Sequence, residues 1–157
     1  MFVGFNPSLP AWRTGHYYAN PGNRFYRLLF DSGLTPRLLT PAEDRSLPSF
    51  GIGATDLVAE PSAKAEEVAK EKYLNAAQGF EKKLSAYAPK AICCNGLGVY
   101  RYLFGGRPVR LGKVPEVMLG ESVVFVTPSS SGLCNGKAAE RLAAFTELSA
   151  WRASLGV

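Results

Sequence analysis

The chain opens MFVGFNPS, residues 1–8, and the way this stretch ends points to a strand that stops at a pocket. Met1 to Phe5 is a short apolar run of the kind that forms a buried strand. Pro7 denies the helical region to the residue before it, so Asn6 is held extended and its carboxamide is aimed rather than free. Gly4 carries no Cβ and lets another group come close to the backbone. An aimed amide beside an open backbone suggests a ligand.

Outward from this stretch, a long loop rich in proline, glycine and aromatic residues runs to Gly22. Asn23 is a fitting N-cap for a helix through Ser32, with Phe25, Leu28 and Leu29 on one face and Gly33 closing it. A short helix is expected at Pro41–Arg45, and a strand at Ser49–Thr55, where Phe50, Ile52 and Ala54 alternate. Ala63–Tyr87 is helical in composition with a break near Gly79, and Pro89 bounds it. Lys90–Cys94 reads as a buried strand, and Gly96–Phe104 as a helix ended by Gly105 and Gly106. Val117–Leu119 and Val123–Thr127 read as strands about a turn at Gly120-Glu121. Lys137–Ser154 closes the chain as an amphipathic helix, with Leu142, Phe145, Leu148 and Trp151 on its core face.

Strands alternating with helices imply an α/β fold, a three-layer α/β/α sandwich around a small, mostly parallel sheet. Ligands in such folds gather at the carboxyl ends of the strands. That directs attention to GFNPS, TDLV, NGLG and TPSSSGLCNG.

The 157 residues fit one domain, expected to span 1–157, and 46% apolar content is enough for its core. A formal charge of +5 and a pI near 9.2 favour an anionic partner without demanding one. Neither a run of apolar residues long enough to span a membrane nor a signal peptide is found, so the chain reads as soluble and intracellular. Cys93, Cys94 and Cys134 match no zinc or iron–sulfur spacing, and the single histidine, His16, rules out a histidine-rich metal site. Cys93 and Cys94 lie in an apolar run and read as small buried hydrophobes. GxSxG, GxGxxG and Walker A patterns are absent, which argues against a serine hydrolase and against a nucleotide-binding loop.

Taken in order, GFNPS, TGHYYANPGNRFY (residues 14–26), GATDLV (53–58), the apolar strand with its NGLG turn (95–98) and TPSSSGLCNG (127–136) resemble the mismatch-specific uracil/thymine branch of the uracil-DNA glycosylase superfamily. The resemblance covers nearly the whole chain. The family's first strand usually has residues before it, so the resemblance points to a native N-terminal extension lacking here.

The resemblance implies a monofunctional hydrolase, needing no metal or organic cofactor, that removes uracil opposite guanine, or another mispaired or small modified base, from double-stranded DNA. Such an enzyme works with the nucleoid of a bacterial-type cytoplasm, or elsewhere in a cell with DNA, and a monomer is the usual expectation. A base stacked in a duplex must be extruded into a pocket before its glycosidic bond can be cut. The resemblance places Tyr18 as the ring stacked on that base, and Asn6 as the catalytic residue positioning the attacking water. Gly4 and Phe5, through backbone groups, are expected to bind the base together with Ser129. Leu133, on the small-residue loop Ser131, Gly132, Leu133, Cys134, Asn135, is expected to enter the gap left in the duplex, with that loop contacting DNA. Asn135 stands where bacterial relatives often carry arginine. Leu133 has a second reading, as a staple against the following helix.

A neutral amide cannot take a proton from water. Asp56, at the end of the second expected strand and where bacterial relatives often have lysine, is the best placed acid to do so, and joins Asn6 as a candidate catalytic residue. Its other reading is a structural acid paired with a nearby cation. Arg13, Lys137 and Arg141 are candidate phosphate contacts; Asn23 reads as a cap and His16 as a surface residue with no catalytic role. No lysine is expected to be placed for Schiff-base chemistry. The alternative to an enzyme is a non-catalytic DNA-lesion or nucleotide-binding domain on the same scaffold.

Overall fold

The computed structural model describes residues 1–107, 109–133 and 136–156. Its elements run β1 (Phe2–Gly4), α1 (Leu9–Thr14), α2 (Phe25–Asp31), a 3-10 segment (Pro41–Phe50), β2 (Ala54–Asp56), a 3-10 turn (Ala65–Glu67), α3 (Lys70–Gln78), α4 (Phe80–Ser85), β3 (Ala91–Asn95), α5 (Leu97–Phe104), β4 (Gly112–Leu119), β5 (Ser122–Thr127) and α6 (Ala138–Ser154). The five strands form one sheet in the order β2-β1-β3-β5-β4. All neighbours are parallel except β4, which runs antiparallel to β5 at the edge. This is the expected α/β sandwich. Pro115 can sit in β4 because it lies on an edge strand where the register shifts between Val114 and Met118.

Successive residues of a strand face opposite sides, and that alternation builds two cores. Val3, Ile92, Cys94, Val124 and Val126 face one side, with Tyr73, Phe80, Leu84, Val99, Tyr100 and Phe104 from α3, α4 and α5. Phe2, Ala91, Cys93 and Phe125 face the other, with Phe25, Leu28 and Leu29 from α2, Leu47 from the 3-10 segment, and Phe145 and Leu148 from α6. The two adjacent cysteines are therefore buried on opposite faces. Burial pushes the thiols up, that of Cys93 to about 12, so both behave as small hydrophobes.

Four expectations are corrected. Residues 9–14 form α1 rather than loop: Ser8 Oγ accepts from the Ala11 N–H at 3.2 Å, Pro10 falls in the first turn where no donor is needed, and Gly15 closes the helix at φ 72°. The strand expected over Ser49–Thr55 shrinks to Ala54–Asp56, because the 3-10 segment runs on to Phe50 and ends at Gly51 with φ 70°. Its capping box, Thr40 with Glu43, starts it at Pro41. On α6 the core face holds Arg141 and Ala144 beside Phe145 and Leu148, whereas Leu142 is exposed. The long helix expected over 63–87 is a 3-10 turn and two helices, with the break at Gly79 as read.

Among the described residues no helix is long and apolar enough to cross a membrane.

Candidate active site

The parallel strands bring their carboxyl ends to one edge of the sheet. Gly4 lies opposite Asp56, and Asn95 opposite Thr127. The segments leaving that edge enclose a cleft of about 690 Å³, lined among others by Gly4, Phe5, Asn6, Tyr18, Asp56 and Asn95 and by Ser129, Ser130, Ser131 and Leu133.

Asn6 leaves β1 with its amide fully oriented. Nδ2 donates to the Glu60 carbonyl and to Ser62 Oγ, both at 2.8 Å. A carbonyl oxygen can only accept, so this pair fixes which side of the amide carries nitrogen. The Tyr73 hydroxyl donates toward the Ala65 carbonyl at 3.0 Å and toward Asn6 Oδ1 at 3.2 Å. Both amide hydrogens are thus engaged, and Oδ1 is the atom with a lone pair to offer a water.

Asp56 ends β2 beside it. Burial pushes its carboxyl up to about 7, an effect Lys83 partly opposes. Lys83 does not clasp the carboxylate; its ammonium donates to Thr55 Oγ1 at 3.0 Å and to the Asp56 carbonyl at 3.1 Å. A half-buried acid poised near neutrality, in a cleft, is suited to proton transfer.

Gly4 is required by this arrangement: a Cβ there would stand 2.5 Å from Asp56 Oδ1 and 3.6 Å from the Tyr18 hydroxyl. Gly4→Ala is expected to displace the carboxylate and to lower stability by about 1–3 kcal/mol, read by denaturant unfolding. Wild-type stability in that variant would show that the acid is free to move aside. The Gly4 and Phe5 carbonyls accept from the Leu57 and Val58 N–H groups, both at 3.0 Å. Both carbonyls are thus engaged, which leaves the N–H of Phe5 as its remaining backbone polar group. Its ring is turned away, edge-on to Tyr73 and Tyr102 and over Gly98, where a Cβ would lie 2.4 Å from the ring.

Tyr18 is held by strain and stacking. Its φ of 56° is unusual for a side chain of this size. The ring stacks on Phe25 at 4.0 Å, and Phe25 is itself buried against Phe2 and Tyr26. The hydroxyl is buried with no well-formed hydrogen bond among the described residues, and burial drives its pKa up, followed by the charge of Asp56, with the Asn95 side chain opposing the rise. The loop before it is pinned by Asp44, which accepts from the Tyr17 N–H at 3.0 Å and meets His16 Nδ1 at 3.0 Å, and by Tyr26, whose hydroxyl donates to the Tyr17 carbonyl at 2.7 Å. His16 is thus a partnered residue lining the cleft, not an isolated surface histidine. Asn23 Oδ1 accepts from the Phe25 N–H at 2.9 Å, which starts α2.

Ser129, Ser131 and Leu133 reach the cleft from the loop after β5, to which Gly132 also belongs. Ser129 Oγ accepts from the Ser131 N–H and Ser131 Oγ from the Leu133 N–H, each at 3.2 Å. Leu133 is 67% exposed, so no staple against α6 buries it. Cys134 and Asn135 lie outside the described residues.

Arg13 and Lys137 are exposed, whereas Arg141 is 2% exposed and bonded inside the fold, which removes it from the phosphate contacts. Lys64 and Lys83 also line the cleft.

Sequence reasoning passed over Asp44, Ser62, Tyr73 and Asn95. The first three act across chain separations of 28, 56 and 67 residues, which no local pattern signals. Asn95 alone carried a clue, as a polar residue ending an apolar strand.

The sequence model of the uracil DNA glycosylase superfamily matches residues 1–151.

Proposed function

The chain belongs to the uracil DNA glycosylase superfamily, hydrolases that act on uracil in DNA, and from that premise we propose that it is a monofunctional enzyme of the mismatch-specific branch. Its substrate is uracil opposite guanine, or another mispaired or small modified base, in duplex DNA. The observation that carries this reading is the convergence on one cleft of the oriented Asn6 amide, the Asp56 carboxylate, the Tyr18 ring and the exposed Leu133.

In this reading the flipped base lies on the free face of Tyr18, with the Phe5 N–H and Ser129 at its polar edge. Asn6 Oδ1 accepts a hydrogen bond from a water aimed at the anomeric carbon. As the glycosidic bond breaks, the base leaves with the bonding electrons and the sugar gains positive charge. The water oxygen attacks that carbon and Asp56 takes the water's proton, its negative charge having stabilised the cationic sugar. Leu133 fills the gap in the duplex, and in this reading the exposed Arg13 and Lys137 meet phosphates.

The test is incubation with a duplex holding a single uracil opposite guanine, followed by gel analysis with and without alkali. Strand breaks that need alkali are expected. An intact duplex that is only shifted on a native gel would make the protein a binder. Breaks without alkali would overturn the monofunctional assignment and turn attention to Lys64 and Lys83.

A further inference from the structure

The loop displaying Leu133 is gripped at both ends by one buried side chain, and we infer that Arg141 is the positioning residue that sets this wedge; the inference rests on the reading of Leu133 given above. From α6, Arg141 Nε donates to the Ser129 carbonyl at 2.8 Å and Nη2 to the Gly136 carbonyl at 3.2 Å. These residues stand at the entry to the loop and at its exit. The planar guanidinium can hold two carbonyls at once in a fixed geometry, which a single ammonium cannot.

The first half of the loop is tied down independently. Asn95, 4% exposed, grips Ser130 twice: its Nδ2 donates to Ser130 Oγ at 2.8 Å, and its Oδ1 accepts from the Ser130 N–H at 2.9 Å. The Ser130 carbonyl accepts from the Arg24 N–H at 2.9 Å. Gly132 lies so close to the aromatic loop that a Cβ on it would stand 2.6 Å from the Gly22 carbonyl oxygen. Residues 129–132, Asn95 and the Tyr18 loop are therefore one braced unit.

This bracing bears on extrusion. A leucine on an unbraced serine- and glycine-rich loop would lose much backbone freedom on entering a duplex, and that loss would oppose insertion. A loop ordered when the protein folds meets the duplex with that cost already met. Arg141 closes the loop across its ends, so that Leu133 keeps a fixed offset from the pocket.

The test uses a duplex carrying 2′-fluoro-2′-deoxyuridine, which resists hydrolysis, opposite guanine and next to 2-aminopurine, whose fluorescence rises when its neighbour leaves the stack. Arg141→Met is expected to lower the extrusion equilibrium by about tenfold, with Arg141→Lys intermediate. Leu133→Ala should lower it as well, and the double variant Leu133→Ala/Arg141→Met should be no worse than Leu133→Ala, because the clamp acts only through the leucine. The salt dependence of binding to uracil-free duplex should be unchanged in Arg141→Met, whereas a direct phosphate contact would lower its slope by about 1.

A folded Arg141→Met that extrudes like the wild type overturns the inference, as does a fully additive double variant or a reduced salt slope. If Arg141→Met fails to fold, Arg141→Lys decides, and wild-type extrusion in it overturns the inference. Full extrusion by Leu133→Ala would instead sink the wedge reading itself, whatever Arg141 does.

Discussion

Exchange of Asp56 for asparagine is expected to cut the single-turnover rate of uracil release at pH 8 by about 10²–10⁴-fold, the span typical for loss of a general base, while the duplex is still bound. The carboxyl must be ionised to accept the water's proton. With its pKa pushed up to about 7 by burial, the wild-type rate should rise as pH climbs toward 7 and level off above it. The variant should lack that inflection. Stability should move the other way. Between the ordinary value of 3.8 and about 7 the folded protein holds a proton that the unfolded chain has released. The wild type therefore loses stability as pH rises through that window, and the full penalty is present above it. Asp56→Asn should accordingly be the more stable protein at pH 8, by at most about 4 kcal/mol, with the advantage gone below pH 4. An unaltered rate in Asp56→Asn would reject this acid as the base and leave the family membership untouched.

The second large effect concerns Asn6. Asn6→Ala is expected to lower the same rate by about 10²-fold through loss of water positioning, a smaller loss than that of Asp56→Asn measured in parallel. The ranking matters because a carboxylate that accepts the proton makes the amide a guide rather than the sole activator. Asn6→Asp is not expected to rescue activity. It would set a carboxylate oxygen against the Glu60 carbonyl, now 2.8 Å from the amide nitrogen, and leave that acceptor without its donor. A faster Asn6→Asp enzyme, or an Asn6→Ala enzyme slower than Asp56→Asn, would place the activation of water at Asn6 instead.

How far these residues could be read without coordinates depended on the range of the interaction. The apolar run at 91–94, the glycine break at Gly79 and the Asn-Pro step at residues 6–7 are local, and each marked its element correctly. Residues 9–14 hid a helix because Pro10 reads as a breaker until it is seen in the first turn. Residues 49–53 alternate like a strand, but Thr40 and Glu43 had already started a 3-10 segment that runs on to Phe50. Arg141 looked like a surface cation because charge is ordinarily solvated; the carbonyls that accept from it, those of Ser129 and Gly136 among them, become visible only in the fold.

The order of residue types along the chain thus determined the layered α/β architecture, the family, and the segments that supply the cleft, since period, proline and glycine act over a few residues. The tertiary structure alone decided that Gly4 makes room for the Asp56 carboxylate, that Tyr73 and Ser62 orient the Asn6 amide, and that Arg141 and Asn95 hold the loop of Leu133. Those contacts join groups that become neighbours only when parallel strands end together, and desolvation, which moves the Asp56 carboxyl toward neutrality, exists only once the fold has closed around it.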